Sequence, residues 1–143
     1  MIVRKLEAAD IEQVTKIEQA CFSTPWSKQG FEDILFREDV LFLVACEGDE
    51  VLGYVGVYCS FDEGEITNVA VALDKRRQKV AEHLLDELII RLGERQIERI
   101  VLEVRVSNRP AIELYKKFGF VNVGTRKNFY QKPTEDAWIM IRG

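Results

Sequence analysis

The sequence predicts an α/β fold, a mixed central sheet of about seven strands flanked by about four helices, and three observations predict it. Short apolar runs alternate with stretches of helical periodicity along the chain, turn residues punctuate them, and the segment from Val80 to Leu92 carries an unbroken apolar face.

Ile2 to Leu6 reads as a short strand, and Asp10 opens a helix in which Ile11, Val14, Ile17, Glu18 and Cys21 recur at helical spacing. Gln13 is placed three residues on to close a capping box with Asp10. The stretch Phe22-Ser23-Thr24-Pro25-Trp26-Ser27 is a turn, and Ser27 is the N-cap candidate of a second helix carrying Phe31, Ile34 and Leu35. Leu41 to Cys46 is a strand, and Glu47-Gly48-Asp49-Glu50 makes a hairpin into the strand Val51 to Tyr58. Asp62-Glu63-Gly64 separates that strand from Glu65 to Val71, giving three antiparallel strands in sequence. In the third helix Ala81, Leu84, Leu85, Leu88 and Leu92 share one face, with Gly93 as its stop. Ile100 to Val106 is a strand, and Ala111, Leu114, Tyr115 and Phe118 mark a fourth helix with a Schellman ending at Gly119-Phe120. Strands near Val121 to Lys127 and Ala137 to Ile141 complete a β-α-α-β-β-β-α-β-α-β-β order without internal repeat or linker.

The 143 residues, 47% hydrophobic and 31% charged, suit a single domain spanning 1–143. No run approaches the ~20 apolar residues that cross a bilayer, and the start lacks the apolar core of a secretory signal. The expectation is a cytoplasmic protein that does not engage membranes. Cys21, Cys46 and Cys59 are odd in number and lack C-x-x-C spacing, so reduced thiols are expected, with neither disulfide framework nor metal site. A net charge of −4 argues against a domain built to grip a nucleic-acid backbone.

Several residues could carry chemistry. Lys75-Arg76-Arg77-Gln78-Lys79 places positive charge at a helix start, where the dipole favours acidic residues. An anion such as a pyrophosphate docked on the backbone amides would explain it, and so would a solvated basic turn. Glu103 interrupts an apolar strand read as covered on both faces, which is costly unless the carboxylate is paired, hydrated or functional. A Glu103–Arg105 ion pair is the plain alternative to catalysis. Tyr115 lies on an apolar stripe, as core tyrosines do. Trp26, on a Pro-containing turn, suits either a core plug or a peptide contact, and His83, the single histidine, falls on the polar side of its helix.

The run Leu102-Glu103-Val104-Arg105-Val106-Ser107-Asn108-Arg109-Pro110-Ala111-Ile112-Glu113-Leu114-Tyr115-Lys116-Lys117-Phe118-Gly119-Phe120 is close to the L-E-V-R-x-S-N-x-x-A-I-x-L-Y-x-x-x-G-F pattern of the RimI-like group of GNAT N-acetyltransferases. Phe22-Ser23 through Pro25-Trp26-Ser27, Asn68 to Val71, and Arg126 to Tyr130 followed by Glu135-Asp136-Ala137 extend the resemblance over nearly the whole chain. It implies a GNAT acyl-CoA N-acyltransferase fold and acetyl-CoA as co-substrate, bound in a notch between the Val69 and Val101 strands. In such proteins Val69, Ala70 and Val71 would meet the pantetheine arm, and Arg76, Arg77, Gln78, Lys79, Val80, Ala81 and Glu82 would cradle the pyrophosphate, with Asn108 a further cofactor contact. Glu103 would take the proton of the incoming amine, Tyr115 would protonate the leaving thiolate, and the acceptor would pass Trp26 and Tyr130. The implied acceptor is a protein N-terminus, the alanine that begins small-subunit ribosomal protein eighteen, attacked directly in a ternary complex.

One departure stands out: Lys79 replaces the first glycine of the phosphate loop. Its side chain either crowds the backbone approach that glycine permits or, the reading preferred, swings outward toward phosphate. Rival readings are a GNAT enzyme for lysines, other N-termini or small amines, a non-catalytic acetyl-CoA-binding module, and an RNA-contacting domain using the Lys75 cluster. Peptide panels, binding without turnover and salt-dependent RNA affinity would separate them.

Overall fold

In the computed structural model, which describes residues 1–143, strand alternation divides the apolar residues between the two faces of one sheet. The strands are β1 (Ile2–Lys5), β2 (Val40–Glu47), β3 (Glu50–Ser60), β4 (Glu63–Val71), β5 (Arg99–Arg105), β6 (Val121–Tyr130) and β7 (Glu135–Arg142). Their spatial order is β1-β2-β3-β4-β5-β7-β6. Every neighbouring pair is antiparallel except β4 and β5. A parallel pair needs a long crossover, and the helix α3 (Val80–Glu94) supplies it. The other helices are α1 (Ile11–Cys21), α2 (Lys28–Ile34) and α4 (Arg109–Lys117), so the expected element order is realised.

Strand β2 shows how the layers form. Val40, Phe42, Val44 and Cys46 join Ile11, Val14, Ile17, Phe31 and Ile34 beneath α1 and α2. Leu41, Leu43 and Ala45 turn the other way and pack with Leu84, Leu85, Leu88 and Leu92 of α3. Burial of each such leucine contributes about 1.5–3 kcal/mol.

Local signals act much as read, with corrections. The Ser27 hydroxyl accepts from the Gly30 N–H at 3.1 Å and starts α2. After α4, Phe120 N–H donates to Tyr115 O and Gly119 N–H to Lys116 O, both at 3.0 Å, with Gly119 at φ 90°, which is a Schellman ending. The expected capping box of Asp10 with Gln13 does not form. Asp10 instead accepts from Glu7 N–H at 2.8 Å and from both Arg4 Nη atoms, while Gln13 reaches across to bond Asp49 O and Val51 N–H. Gly93 is not the stop of α3 either; the helix runs through it, and the left-handed turn falls on Gln96 at φ 64°. Strand β4 begins at Glu63 rather than Glu65, because the β3–β4 hairpin is a two-residue turn at Phe61-Asp62 with Ser60 opposite Glu63.

The sheet is interrupted at its centre. Residues Glu63 to Ile66 of β4 pair with Arg99 to Leu102 of β5, and there the ladder stops. On its other side β4 goes on pairing with β3 through Val71, but with a bulge: Gly56 faces Asn68 and Val57 faces Ile66, leaving Thr67 as the extra residue. A bulge bends and twists its strand. Past Thr67, β4 follows β3 while β5 follows β7, and a wedge opens between them.

Candidate active site

The wedge exposes one edge of β4. Ala72 N–H bonds to Leu52 O, which fixes the alternation: every second residue back from Ala72 turns its polar backbone to β3, and Val69 and Val71 turn theirs to the gap. Cys21 Sγ, 3.5 Å from Val71 O, marks the same orientation.

At the end of that edge the chain enters the basic loop. Arg77 and Lys79 hold left-handed backbone at φ 68° and 62°, a geometry that gathers successive N–H groups into an anion-binding concavity. The N–H groups from Arg76 to Glu82 find no acceptor among the chain's own turn, loop and cap groups, and the first bond of α3 is His83 N–H to Lys79 O at 3.1 Å. The Lys79 side chain is exposed, in accord with an outward orientation. Lys75 is partly neutralised, its Nζ lying 3.5 Å from Glu50, and Glu82 is held by Lys117 at 2.8 Å in a bridge from α3 to α4. His83 is exposed, as expected. A strand edge leading to a cluster of free N–H donors at a helix start fits an extended, amide-containing ligand that ends in a diphosphate.

Glu103 is the first residue of β5 beyond the last rung with β4. The strand is not covered on both faces: Ile100, Leu102 and Val104 are buried, while Val101, Glu103 and Arg105 are half-buried. The expected pair with Arg105 is absent. Arg105 pairs with Glu135 at 3.1 Å, because β7 brings that carboxylate to the strand end, and Glu103 faces Arg126 across β7 at 3.4 Å. Burial, and then the negative charge of Glu65 on β4, hold the Glu103 carboxyl above the usual range, with Arg126 pulling it back.

Tyr115 approaches from the other layer. Its ring belongs to the cluster under α3 and packs at a tilt against Phe120, with centroids 5.6 Å apart. Burial raises its phenol, which stays protonated through the physiological range. The hydroxyl is not a sealed atom of the fold, the one buried side-chain polar atom without a partner being Asn68 Oδ1. Tyr130 lies within electrostatic reach of both groups: it raises Tyr115, and Glu103, after burial, helps to push Tyr130 up to about 12. Tyr130 is thus the group whose charge couples to Glu103 on one side and to Tyr115 on the other.

The rim consists of two loops. Arg105, which sequence reading missed as an anchor, stacks 4.5 Å over Tyr130 and donates to Gln131 O and Pro133 O at 3.1 and 3.0 Å. Ser23 Oγ donates to Gln131 O at 3.2 Å, joining the α1–α2 loop to the β6–β7 loop. Trp26 is half-buried against Phe31, Phe42 and Tyr58, which answers the core-plug alternative while leaving it on the rim loop. Asn108 N-caps α4 through Oδ1, accepting from Ala111 N–H at 3.3 Å, so its amide N–H₂ is the part free for a ligand. Behind the rim, Glu18 is 2% exposed and accepts from Tyr54 OH, Asn68 Nδ2 and Trp26 N–H. A carboxylate on the apolar stripe of α1 was the signal in the sequence that pointed to it.

Comparison with known proteins agrees with the fold. A profile of the "Acetyltransferase (GNAT) family" matches residues 11–120. A protein of Bacillus subtilis (strain 168), provisionally named a [ribosomal protein bS18]-alanine N-acetyltransferase, is 39% identical over 139 residues, covering 96% of this chain and 92% of the relative. The [ribosomal protein bS18]-alanine N-acetyltransferase of Escherichia coli (strain K12) is 34% identical over 142 residues, 96% and 94% of the two chains. The crystal structure of the ribosomal-protein-S18-alanine N-acetyltransferase from Escherichia coli superposes with a TM-score of 0.90 at 32% identity, covering 99% of this chain and 92% of that one.

Proposed function

From the premise that this chain belongs to the GNAT acetyltransferase family, we propose that it moves the acetyl group of acetyl-CoA to the α-amine of a protein N-terminus, the N-terminal alanine of ribosomal protein bS18. The observation that carries the reading is the position of Glu103. A carboxyl held above its ordinary range stands where the β4–β5 ladder opens, within electrostatic reach of Tyr130, which also reaches Tyr115. The choice of acceptor is supported by the relatives of that activity, which align over nearly their whole length.

The chemistry follows from the layers. The diphosphate of the co-substrate sits on the free N–H groups from Arg76 to Glu82, and its pantetheine arm pairs with the Val69–Val71 edge, which carries the thioester up the wedge. Glu103 takes a proton from the α-ammonium, the freed nitrogen attacks the thioester carbonyl carbon, and a tetrahedral adduct forms. As the C–S bond breaks, the thiolate takes the Tyr115 proton and the adduct nitrogen gives up its second proton, which restores the Tyr115 phenol through solvent, leaving an amide, free coenzyme A and the first proton on Glu103. An α-ammonium loses its proton near pH ~8 and a lysine near ~10.4, so a base of modest strength suffices for an N-terminus and serves a lysine poorly.

Mass spectrometry of acetyl transfer to a peptide with the N-terminal residues of bS18 tests the reading. One acetyl group on the α-amine, and none when that amine is blocked, is the expected result. Transfer only to lysine side chains or small amines would move the protein to another acceptor class, and binding of acetyl-CoA with no turnover on any amine would make it a non-catalytic module.

A further inference from the structure

Glu18 lies outside the catalytic pair, yet it is among the most deeply buried charged groups of the chain at 2% exposure. No lysine or arginine pairs with it; three donors hold it instead, from three separate elements. Tyr54 OH of β3 donates to Oε1, Trp26 N–H of the α1–α2 loop donates to Oε2 at 2.9 Å, and Asn68 Nδ2 of β4 reaches Oε1 at 3.2 Å and Oε2 at 3.5 Å. Such a carboxylate is costly to bury, and a core alanine or leucine would serve packing better.

Its connections identify what the cost secures. Asn68 follows the bulged Thr67 directly, at the point where β4 leaves β5 and offers its edge to the thioester arm. Trp26 is on the rim loop that Ser23 fastens to Gln131 over the wedge. We infer that Glu18 is a positioning residue of the acceptor site: through Asn68 and the Trp26 N–H it fixes the rim loop to the strand that carries the thioester, so that amine and carbonyl meet in register. This rests on the proposed acetyl transfer. Tyr54 completes the coordination of the carboxylate but ties neither loop nor wedge, since β3 is held in the sheet by β2 and β4.

Three variants test it, each measured for acceptor-peptide KM, acetyl-CoA Kd by calorimetry, thermal midpoint, and amide hydrogen exchange at Trp26. Glu18→Gln puts an N–H₂ where only acceptors fit. It should raise the acceptor KM tenfold or more and speed Trp26 exchange at least tenfold, while acetyl-CoA Kd stays within threefold. Asn68→Ala cuts the strand side of the tie and should raise acceptor KM at least threefold. Tyr54→Phe should lower the midpoint but leave acceptor KM within twofold. If Tyr54→Phe raised acceptor KM as much as Asn68→Ala, or if all variants lost midpoint and activity together with no split between KM and Kd, Glu18 would be structural only and the inference would fail. Should Glu18→Gln fail to fold, the contrast between Asn68→Ala and Tyr54→Phe decides. A wild-type protein that acetylates no peptide amine overturns the functional reading and this inference with it, whereas wild-type turnover with unchanged acceptor KM in Glu18→Gln overturns the inference alone.

Discussion

Replacing Lys79 by glycine tests the phosphate loop on two counts that the structure separates. The residue holds φ 62°, ψ 26°, a left-handed conformation that costs an ordinary side chain roughly 1–2 kcal/mol. Glycine removes that cost but adds about 0.5–1 kcal/mol of chain entropy to be lost on folding. The difference runs from about zero to 1.5 kcal/mol in favour of Lys79→Gly, a rise in midpoint of up to about 5 °C for a chain of this size. Lys79→Ala keeps the left-handed strain and should stay near the wild-type midpoint. Affinity follows a different logic. The side chain is exposed, so removing its charge should weaken acetyl-CoA binding only about two- to fivefold, and equally in both variants. Calorimetry with acetyl-CoA at two salt concentrations, beside thermal unfolding, provides the measurements. If both variants bound tenfold tighter than wild type, the lysine would be crowding the cradle and the outward orientation would be refuted. If Lys79→Gly were less stable than Lys79→Ala, the strain argument would be wrong.

Other expectations are as direct. Glu103→Gln should lower kcat about a hundredfold or more while acetyl-CoA Kd changes less than threefold, and it should flatten the acidic limb of kcat/KM, which in the wild type falls as pH drops through the raised Glu103 value. The same variant should gain stability relative to wild type between pH 4 and pH 8. With its folded pKa raised, Glu103 destabilises nothing while protonated in both states, and its cost grows as pH climbs past the unfolded value of ~4.3 and through the folded one. Tyr115→Phe should slow coenzyme A release in single turnovers about a hundredfold, with peptide KM little changed. Gly56→Ala should lower the midpoint by about 3–10 °C, because a β-carbon there would overlap the Phe42 ring, an overpacking worth about 1–3 kcal/mol. In a Phe42→Leu background the same change should cost less than a third as much, and an equal cost in both would mean that the ring is not the obstacle.

Much of this architecture could be read from residue order because the determinants are local. The leucines of α3 repeat on one face, Ser27 has a free N–H three residues on, and Gly119 is followed by an apolar Phe120. The candidates Glu103 and Tyr115 were marked in the sequence by the long motif around them, though their placement on a strand and a helix of the fold depends on contacts between layers that no short window contains. What escaped was non-local. The extra residue Thr67 is visible only against its partner strand, and the anchoring of the rim by Arg105 depends on β7 delivering Glu135. Gly93 failed as a stop because the left-handed residue that closes the helix end is Gln96, past which Ile97 N–H reaches back to Leu92 O. The Glu103–Arg105 pair failed because an arginine at a strand end had a better-placed carboxylate within reach.

An unfinished strand border is ordinarily a hazard, since bare amides and carbonyls recruit strands of other molecules and seed aggregates. Here the border formed by Val69 and Val71 lies inside the molecule, roofed by one helical layer, floored by another and walled by β5, and the true outer margins of the sheet are β1 and β6. On the proposed function that sheltered border is left for a slender amide-bearing tether, so one dislocation in the ladder would turn a liability into a berth for a small guest.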